Sequence, residues 1–486
     1  MSAEIKNLNP PPLWEIFYEL TQIPRPSKME HRAVIFAKEF GEKLELKTYV
    51  DKTGNVIISK PATAGYEDRL GVILQAHLDM VPQKNSDTEH DFENDPIDAY
   101  IDGDWVKARG TTLGSDNGMG IAAALAVLQD KNLKHGPIEV LLTVDEETGM
   151  TGAFQLERGV LDGKILVNLD SEDEGELYIG CAGGMDTSGK LRYQDEPVSM
   201  DSTALELAIT GLKGGHSGLD IHLGRGNANV LMCRFMLDMA EKFDMRLSRM
   251  EGGSLRNAIP REAFVIVTVP AENKDDFLAA VNDYEEIFKA ELGSVETNLS
   301  FRASETDGPS TIIDKASQDI LFRMICGMPN GVIRMDPDVP GVTETSTNLA
   351  IVKTGDGEID VQCLLRSSID TAKFSLGSSL QSVLELAGAE VTHSGTYPGW
   401  KPNMDSPILA TMQSVYEKDF GRIPEVKVIH AGLECGIIGD AYPGLDMISF
   451  GPTIRFPHSP DEKVHIESVQ KFWDFLVKTL EEIPSK

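Results

Sequence analysis

Two neighbouring glutamates, Glu146 and Glu147 in the segment TVDEETG, follow directly on the apolar run IEVLLTV. Adjacent side chains of an extended chain point to opposite faces. Two such acids serve one centre only if the backbone turns between the run and the pair. Five further features stand at the C-terminal ends of expected strands, where open α/β sheets place ligands. QAHLDM presents His77 and Asp79, GSDNGMG presents Asp116, and NLDSEDEGE presents Asp170. FPHSPDE presents His458 in a proline-bounded loop, and GGHSG presents His216 between glycines. Singly, each has an ordinary explanation. An Asp ahead of a helix is commonly an N-cap, and a loop histidine or an acidic turn is commonly solvated. Jointly they offer imidazole and carboxylate ligands without a thiolate, a mixture that suits Zn²⁺, Mn²⁺ or Co²⁺. Two close ions need about five protein ligands, one of them bridging, plus a carboxylate left free for proton transfer. Two His, two Asp and one Glu, with one Glu over, meet that requirement.

The elements that must hold these residues are legible from periodicity. VIISK, GVILQAH, IEVLLTV and ILVNLD read as buried strands, and the Ala-rich GMGIAAALAVLQD between the second and third reads as a helix. LWEIFYEL and SKMEHRAVIFAKEFGEKL have helical spacing, the second opened by Ser27 as its N-cap. This order predicts an α/β catalytic domain with a mostly parallel sheet and helices on both faces. From about residue 187 to 397 the texture changes to alternating strands and long helices, which suits an α+β lid domain with antiparallel sheet. That insert reads as two rounds of strand and helix, about 202–300 and 301–395. Within it, TNLAIVKTGDGEIDVQCLL reads as a hairpin turning at Gly355 to Gly357. The α/β texture returns from about 398. The expected organisation is therefore a discontinuous catalytic domain, 1–186 and 398–486, interrupted by the lid at 187–397.

The 486 residues carry a formal net charge of −32. That excess argues against nucleic acid and anionic membrane surfaces as partners. The N-terminal stretch has no secretory pattern and no run suits a membrane span. The five cysteines are scattered without a C-x-x-C, so a cytoplasmic setting with free thiols is expected.

HLDM, GSDNGMG, DEETG and NLDSE, followed by GGHSG and a final PHSPDE, resemble the di-zinc metallopeptidases that include aminoacylase, carboxypeptidase G and succinyl-diaminopimelate desuccinylase. LKGGHSGLDIHLGRGNAN, GGSLRNAIPRE and ETSTNLA are similar to the branch of bacterial aminoacyl-histidine dipeptidases. The resemblance covers essentially the whole chain. It implies that His77 and Asp170 hold one metal, Glu147 and His458 the other, and that Asp116 bridges them. It implies two divalent ions per chain, zinc first, with cobalt or manganese as alternatives. Asp79 would orient His77, and Glu146 would be the general base. His216 would be the donor to the oxyanion, acting from a partner subunit or from a second lid half, in a homodimer or a single chain respectively; a homodimer is the expectation.

The implied activity is hydrolysis of unblocked dipeptides, including Xaa-His types such as carnosine. The alternative is an N-acyl amino-acid deacylase or carboxypeptidase on the same metal core. Arg366 would clamp the substrate carboxylate and Asn257 would make a polar contact. Gly432 would let backbone approach the ligand, or is simply a turn. Glu434 would meet the free amine, or is a helix-start carboxylate. His222, His430 and His465 are read as structural. The adjacency of Glu146 and Glu147 then reads as a division of labour, with Glu147 on a metal and Glu146 on the reacting water. Both carboxylates within reach of one metal, or Glu146 pointing into the core, would overturn that division.

Overall fold

The computed structural model describes residues 3–486. Two compact units are distinguished, one comprising the residues up to Gly180 with Trp400–Val428 and Leu433–Lys486, the other Cys181–Gly399 with Ile429–Gly432.

The centre of the first unit is an eight-stranded sheet. Its middle is built from β1 (Val72–His77), β2 (Ile138–Thr143), β3 (Ile165–Asn168) and β4 (Asp446–Ser449). These lie in the order β2-β1-β3-β4 and all three pairings are parallel. Every residue of β1, β2 and β3 is buried, which is why their sequences run apolar instead of alternating. Val56–Lys60 extends one edge antiparallel to β2, and Lys47–Val50 pairs antiparallel with Val56–Lys60 beyond it. The sheet is therefore parallel at its core and mixed at its margins.

Helix α1 (Ser115–Gln129) packs on this sheet. Its alanines at 122, 123, 124 and 126 are all buried, and a helix apolar all round belongs inside. The second helix of the chain starts at His31, with Glu30 in the N-cap position. Ser27 is thus not the cap; its hydroxyl donates instead to Asp79 Oδ2 at 2.8 Å. The register fixes which chain ends meet. β1 and β2 pair His77 with Thr143, and β1 and β3 pair Gln75 with Asn168. QAHLD, TVDEE and NLDSE therefore leave the sheet at one edge.

The second unit carries one nine-stranded sheet. Its pairings are antiparallel throughout. The helices Ala228–Ala240, Lys274–Leu292, Lys315–Gly327 and Asp370–Leu386 contribute to its apolar core. Both rounds of strand and helix feed this single sheet. The hairpin Thr343–Gly355/Glu358–Ser367 turns through Asp356 and Gly357, both at positive φ, as a tight two-residue turn demands. Among the described residues no helix is long and apolar enough to cross a membrane.

Candidate active site

Asp79, fully buried, organises the edge where the strands end. Its Oδ1 lies 3.2 Å from His77 Nδ1 and accepts from Glu146 N at 2.9 Å. Its Oδ2 accepts from Glu147 N at 3.2 Å and from Ser27. One carboxylate thus aims the histidine ring and anchors the helical turn Glu146–Gly149 that follows β2. Burial opposes the Asp79 charge, but His77 and the N–H donors outweigh it and hold its pKa down to about 2.

The other side of His77 faces carboxylates. Nε2 lies 3.1 Å from Asp116 Oδ1 and 3.3 Å from Asp170 Oδ1. The second oxygen of Asp116 lies 3.2 Å from His458 Nε2, which is itself 3.0 Å from Glu147 Oε2. Asp116 is therefore shared between two histidines that are 381 residues apart in sequence (458 − 77). Its backbone is extended, at φ −84°, ψ 110°, where a kink interrupts the start of α1, but both of its oxygens face histidines instead of capping the helix. Asn117 Nδ2 donates to Leu169 O at 2.8 Å, tying the turn to the segment that presents Asp170.

Among the described residues four sets have ligand atoms within 4.8 Å of one another: Glu30–Asp79–Asp145, His77–Asp116–Asp170, Asp116–Glu147–His458 and His77–Glu146–Glu147. The last set places the two adjacent glutamates in one space, closer together than a clean division of labour anticipates. The backbone achieves this through Asp145 at φ 53° and an immediate helical turn. What distinguishes the two side chains is their partners. Glu147 pairs with His458, whereas Glu146 has no pairing with either histidine among the ion pairs of the site.

The electrostatics are those of acids crowded beyond what two histidines neutralise. Burial raises Glu146 well above the ordinary carboxylate range, with Asp170, Glu434 and Glu147 adding to it against His77. Burial likewise lifts Asp170 to about 6 and Glu172, beside Asp116 and Asp170, to about 9. Hydrogen bonds to Asp116 and Glu147 hold the His458 imidazolium up to about 11. Burial works against a charge on His77, yet Asp170, Asp116 and Asp79 together keep its pKa well above ordinary. Glu147 Oε1 is buried without a hydrogen-bond donor, and Asp170 Oδ1, also buried, faces only the ring of His77 at 3.3 Å among the ion pairs of the site. Unpaired buried oxygens cost free energy unless something cationic meets them, so the donor set fits divalent cations.

Glu434 opens the helix Glu434–Ala441 and is 1% exposed. Gln75 Nε2 and Thr143 Oγ1 both donate to its Oε2, at 2.6 and 2.7 Å. Oε1 is buried and free of partners. Gln75 is fixed in turn by Asn168, and Asn168 by Ser449, so a buried polar chain crosses four strands to orient this carboxylate. Burial raises its pKa to about 7.

The remaining candidates lie in the second unit. His216 Nδ1 accepts from Gly218 N at 3.2 Å and Leu219 N at 3.0 Å. A neutral imidazole whose Nδ1 accepts carries its proton on Nε2; Arg366 Nη2 lies 3.5 Å from that nitrogen. Burial and the neighbouring Arg366 lower its pKa and keep it neutral. Arg366 is 4% exposed, not a surface residue. It donates to Tyr397 Oη at 3.0 Å and Ser217 Oγ at 3.3 Å, and no carboxylate forms an ion pair with it among the described residues. Asn257 is exposed; its carbonyl accepts from Ser217 N at 2.8 Å, beside the His216–Ala258 bridge. Gly432 belongs to the short segment Ile429–Gly432. His430, in that segment, hydrogen-bonds Ser346 Oγ at 2.7 Å, and burial with Arg366 nearby lowers its pKa to about 3.

Sequence reading missed Arg25, Gln75, Thr143, Ser217 and Tyr397. None sits in a motif whose spacing signals chemistry, and each matters only through a partner distant in the chain.

The chain matches the sequence profile of peptidase family M20/M25/M40 over residues 73–482. It is 50% identical to the cytosol non-specific dipeptidase of Escherichia coli strain K12, an alignment of 488 residues covering 100% of both chains. It is 52% identical to the aminoacylhistidine dipeptidase from Vibrio alginolyticus. That crystal structure agrees with a TM-score of 0.96, covering 100% of this chain and 99% of that one. The aminopeptidase PepT from Bacillus cereus ATCC 10987 shares the fold, at 20% identity, a TM-score of 0.62, and 98% and 99% coverage.

Proposed function

Because this chain belongs to peptidase family M20/M25/M40, we propose that it hydrolyses the peptide bond of unblocked dipeptides, Xaa-His among them, at a centre of two divalent ions. The observation that carries the reading is the convergence of His77, Asp116, Glu147, Asp170 and His458, with Glu146 left unpaired beside them. His77 and Asp170 would hold one ion, Glu147 and His458 the other, and Asp116 both. Zinc suits this set first, and cobalt and manganese suit it too. Such a pair supplies Lewis acidity, polarising a carbonyl and bringing the pKa of water from about 15.7 toward neutrality.

The chain's own residues do the rest. Asp79 fixes the ring of His77. Glu146, desolvated with its carboxyl pushed above the ordinary range, takes a proton from water and returns it to the leaving amine. His216, its ring held through Nδ1 by two backbone N–H groups, stabilises the developing oxyanion. Arg366 offers a buried guanidinium without an anionic partner, suited to bidentate capture of the substrate carboxylate. Asn257 and the backbone at Gly432 add contacts. Glu434 Oε1, with Oε2 already committed, receives the free ammonium. The reading extends to a cytoplasmic homodimer.

The test is a panel of carnosine, Leu-Gly, Cys-Gly and N-acetyl amino acids, assayed with metal-loaded protein. Cleavage of the free dipeptides is expected. Cleavage of the acetylated compounds alone would overturn the dipeptide assignment in favour of deacylation.

A further inference from the structure

Glu462 is 2% exposed and four residues beyond His458. Its Oε2 accepts from Leu113 N at 2.8 Å and Gly114 N at 3.0 Å. Its Oε1 accepts from Ser115 N at 2.7 Å, Ser115 Oγ at 2.6 Å and Asp116 N at 3.2 Å. Four consecutive backbone N–H groups of the turn that carries Asp116 thus converge on one carboxylate from the far end of the chain. The opposite side of that turn is also held. Arg25, 2% exposed, donates through Nη2 to Gly114 O at 2.5 Å and through Nη1 to Leu78 O and Asp79 O at 2.9 and 2.7 Å. Gly114 sits at φ 72°, and a Cβ there would lie 2.8 Å from both the Arg25 guanidinium and Met80 Sδ, so only glycine fits against these two side chains. On its own side, Glu462 N donates to Ser459 O at 2.9 Å, closing the loop next to His458. His458 itself is 53% exposed in its side chain and held at φ 57°.

We propose that Glu462 is a positioning residue for the half of the centre formed by Asp116, Glu147 and His458. It locks the turn that presents Asp116 to the loop that presents His458, so that two ligands from opposite ends of the chain approach one ion in a preset arrangement. His77 and Asp170 have their own supports, Asp79 and the Asn117–Leu169 tie, and depend on Glu462 less. The proposal rests on the dinuclear reading given above. A carboxylate accepts on all of its lone pairs, whereas an amide presents an N–H₂ group to N–H donors. Glu462→Gln therefore keeps the volume and breaks the cradle. Groups behind metal ligands typically contribute about 10- to 100-fold in metal affinity.

The test is titration of apo-protein with Zn²⁺ against a chromogenic chelator, together with the visible absorption of the Co²⁺-loaded protein. For Glu462→Gln we expect the ion of the Asp116–Glu147–His458 half weakened about 10- to 100-fold, the ion of His77 and Asp170 weakened less through the shared Asp116, and an altered Co²⁺ spectrum, with the far-ultraviolet circular dichroism unchanged. Two ions at wild-type affinity with a wild-type spectrum overturn the proposal, as does equal weakening of both. If Glu462→Gln does not fold, Ser115→Ala removes one donor and keeps the carboxylate. It is expected to weaken the same ion by a smaller factor, and no change overturns the proposal. A wild-type chain that takes up no second ion fails earlier, on the dinuclear reading, and takes this proposal with it.

Discussion

Glu146 and Glu147 turn their carboxylates into the same space, so direction does not separate their roles. Partnership does. Glu147 is committed to His458, while Glu146 is desolvated among like charges and holds its proton more tightly than an ordinary carboxylate. A carboxyl raised in this way suits a group that takes up and returns a proton. Glu146→Gln is expected to retain both metal ions and the wild-type fold while hydrolysis falls by about 10² to 10⁴. Metal analysis alongside turnover of a dipeptide checks this. Loss of metal together with activity would instead make Glu146 a ligand. Residue identity was legible here because strand ends and metal chemistry restrict the residue types; the sharing of one space was not, because it depends on Asp145 adopting a left-handed conformation.

At the scale of elements, the parallel register of β1, β2 and β3 is what brings QAHLD, TVDEE and NLDSE to one edge. Buried parallel strands read as continuous apolar runs, and these runs were visible. Ser27 shows where local patterning misleads. Its sequence context fits an N-cap, but the helix starts later and the hydroxyl serves Asp79. The segment after the strand Glu425–Ile429 carries His430, read from the sequence as structural. His430 is held neutral against Ser346, with a folded pKa of about 3 against an ordinary 6.5. Between those values the unfolded chain binds a proton that the folded one does not. Stability is therefore full above pH 6.5 and is lost as pH falls toward 3, by up to about 1.4 kcal/mol per pH unit from this group. Urea unfolding of the wild type and of His430→Gln across pH 4–7 is expected to show a steeper acid loss in the wild type. Parallel profiles would exclude His430 as the cause.

For the whole molecule, the apolar core of the first unit is built without the candidate ligands, so the fold does not require the ions even though the centre does. Stripping metal with a chelator is expected to abolish hydrolysis and leave circular dichroism intact. It should also lower Tm, since ions that bind only the folded state stabilise it by mass action. Adding back Zn²⁺, Co²⁺ or Mn²⁺ should restore both activity and Tm. Activity that survives complete removal of metal would refute the dinuclear reading.

The sequence by itself determined the elements and the inventory of the site: apolar runs that must be buried, and His, Asp and Glu at their ends. Those follow from properties of short segments, periodicity and polarity, which are written locally. Only the tertiary structure decided the pairings. Asp116 between His77 and His458, five donors on Glu462, Gln75 and Thr143 on Glu434, and Tyr397 and Ser217 on Arg366 all join segments far apart in the chain. A hydrogen bond constrains the distance between two atoms and leaves no mark on the spacing of residues between them, so these relations emerge only once the sheet has set the strand ends side by side.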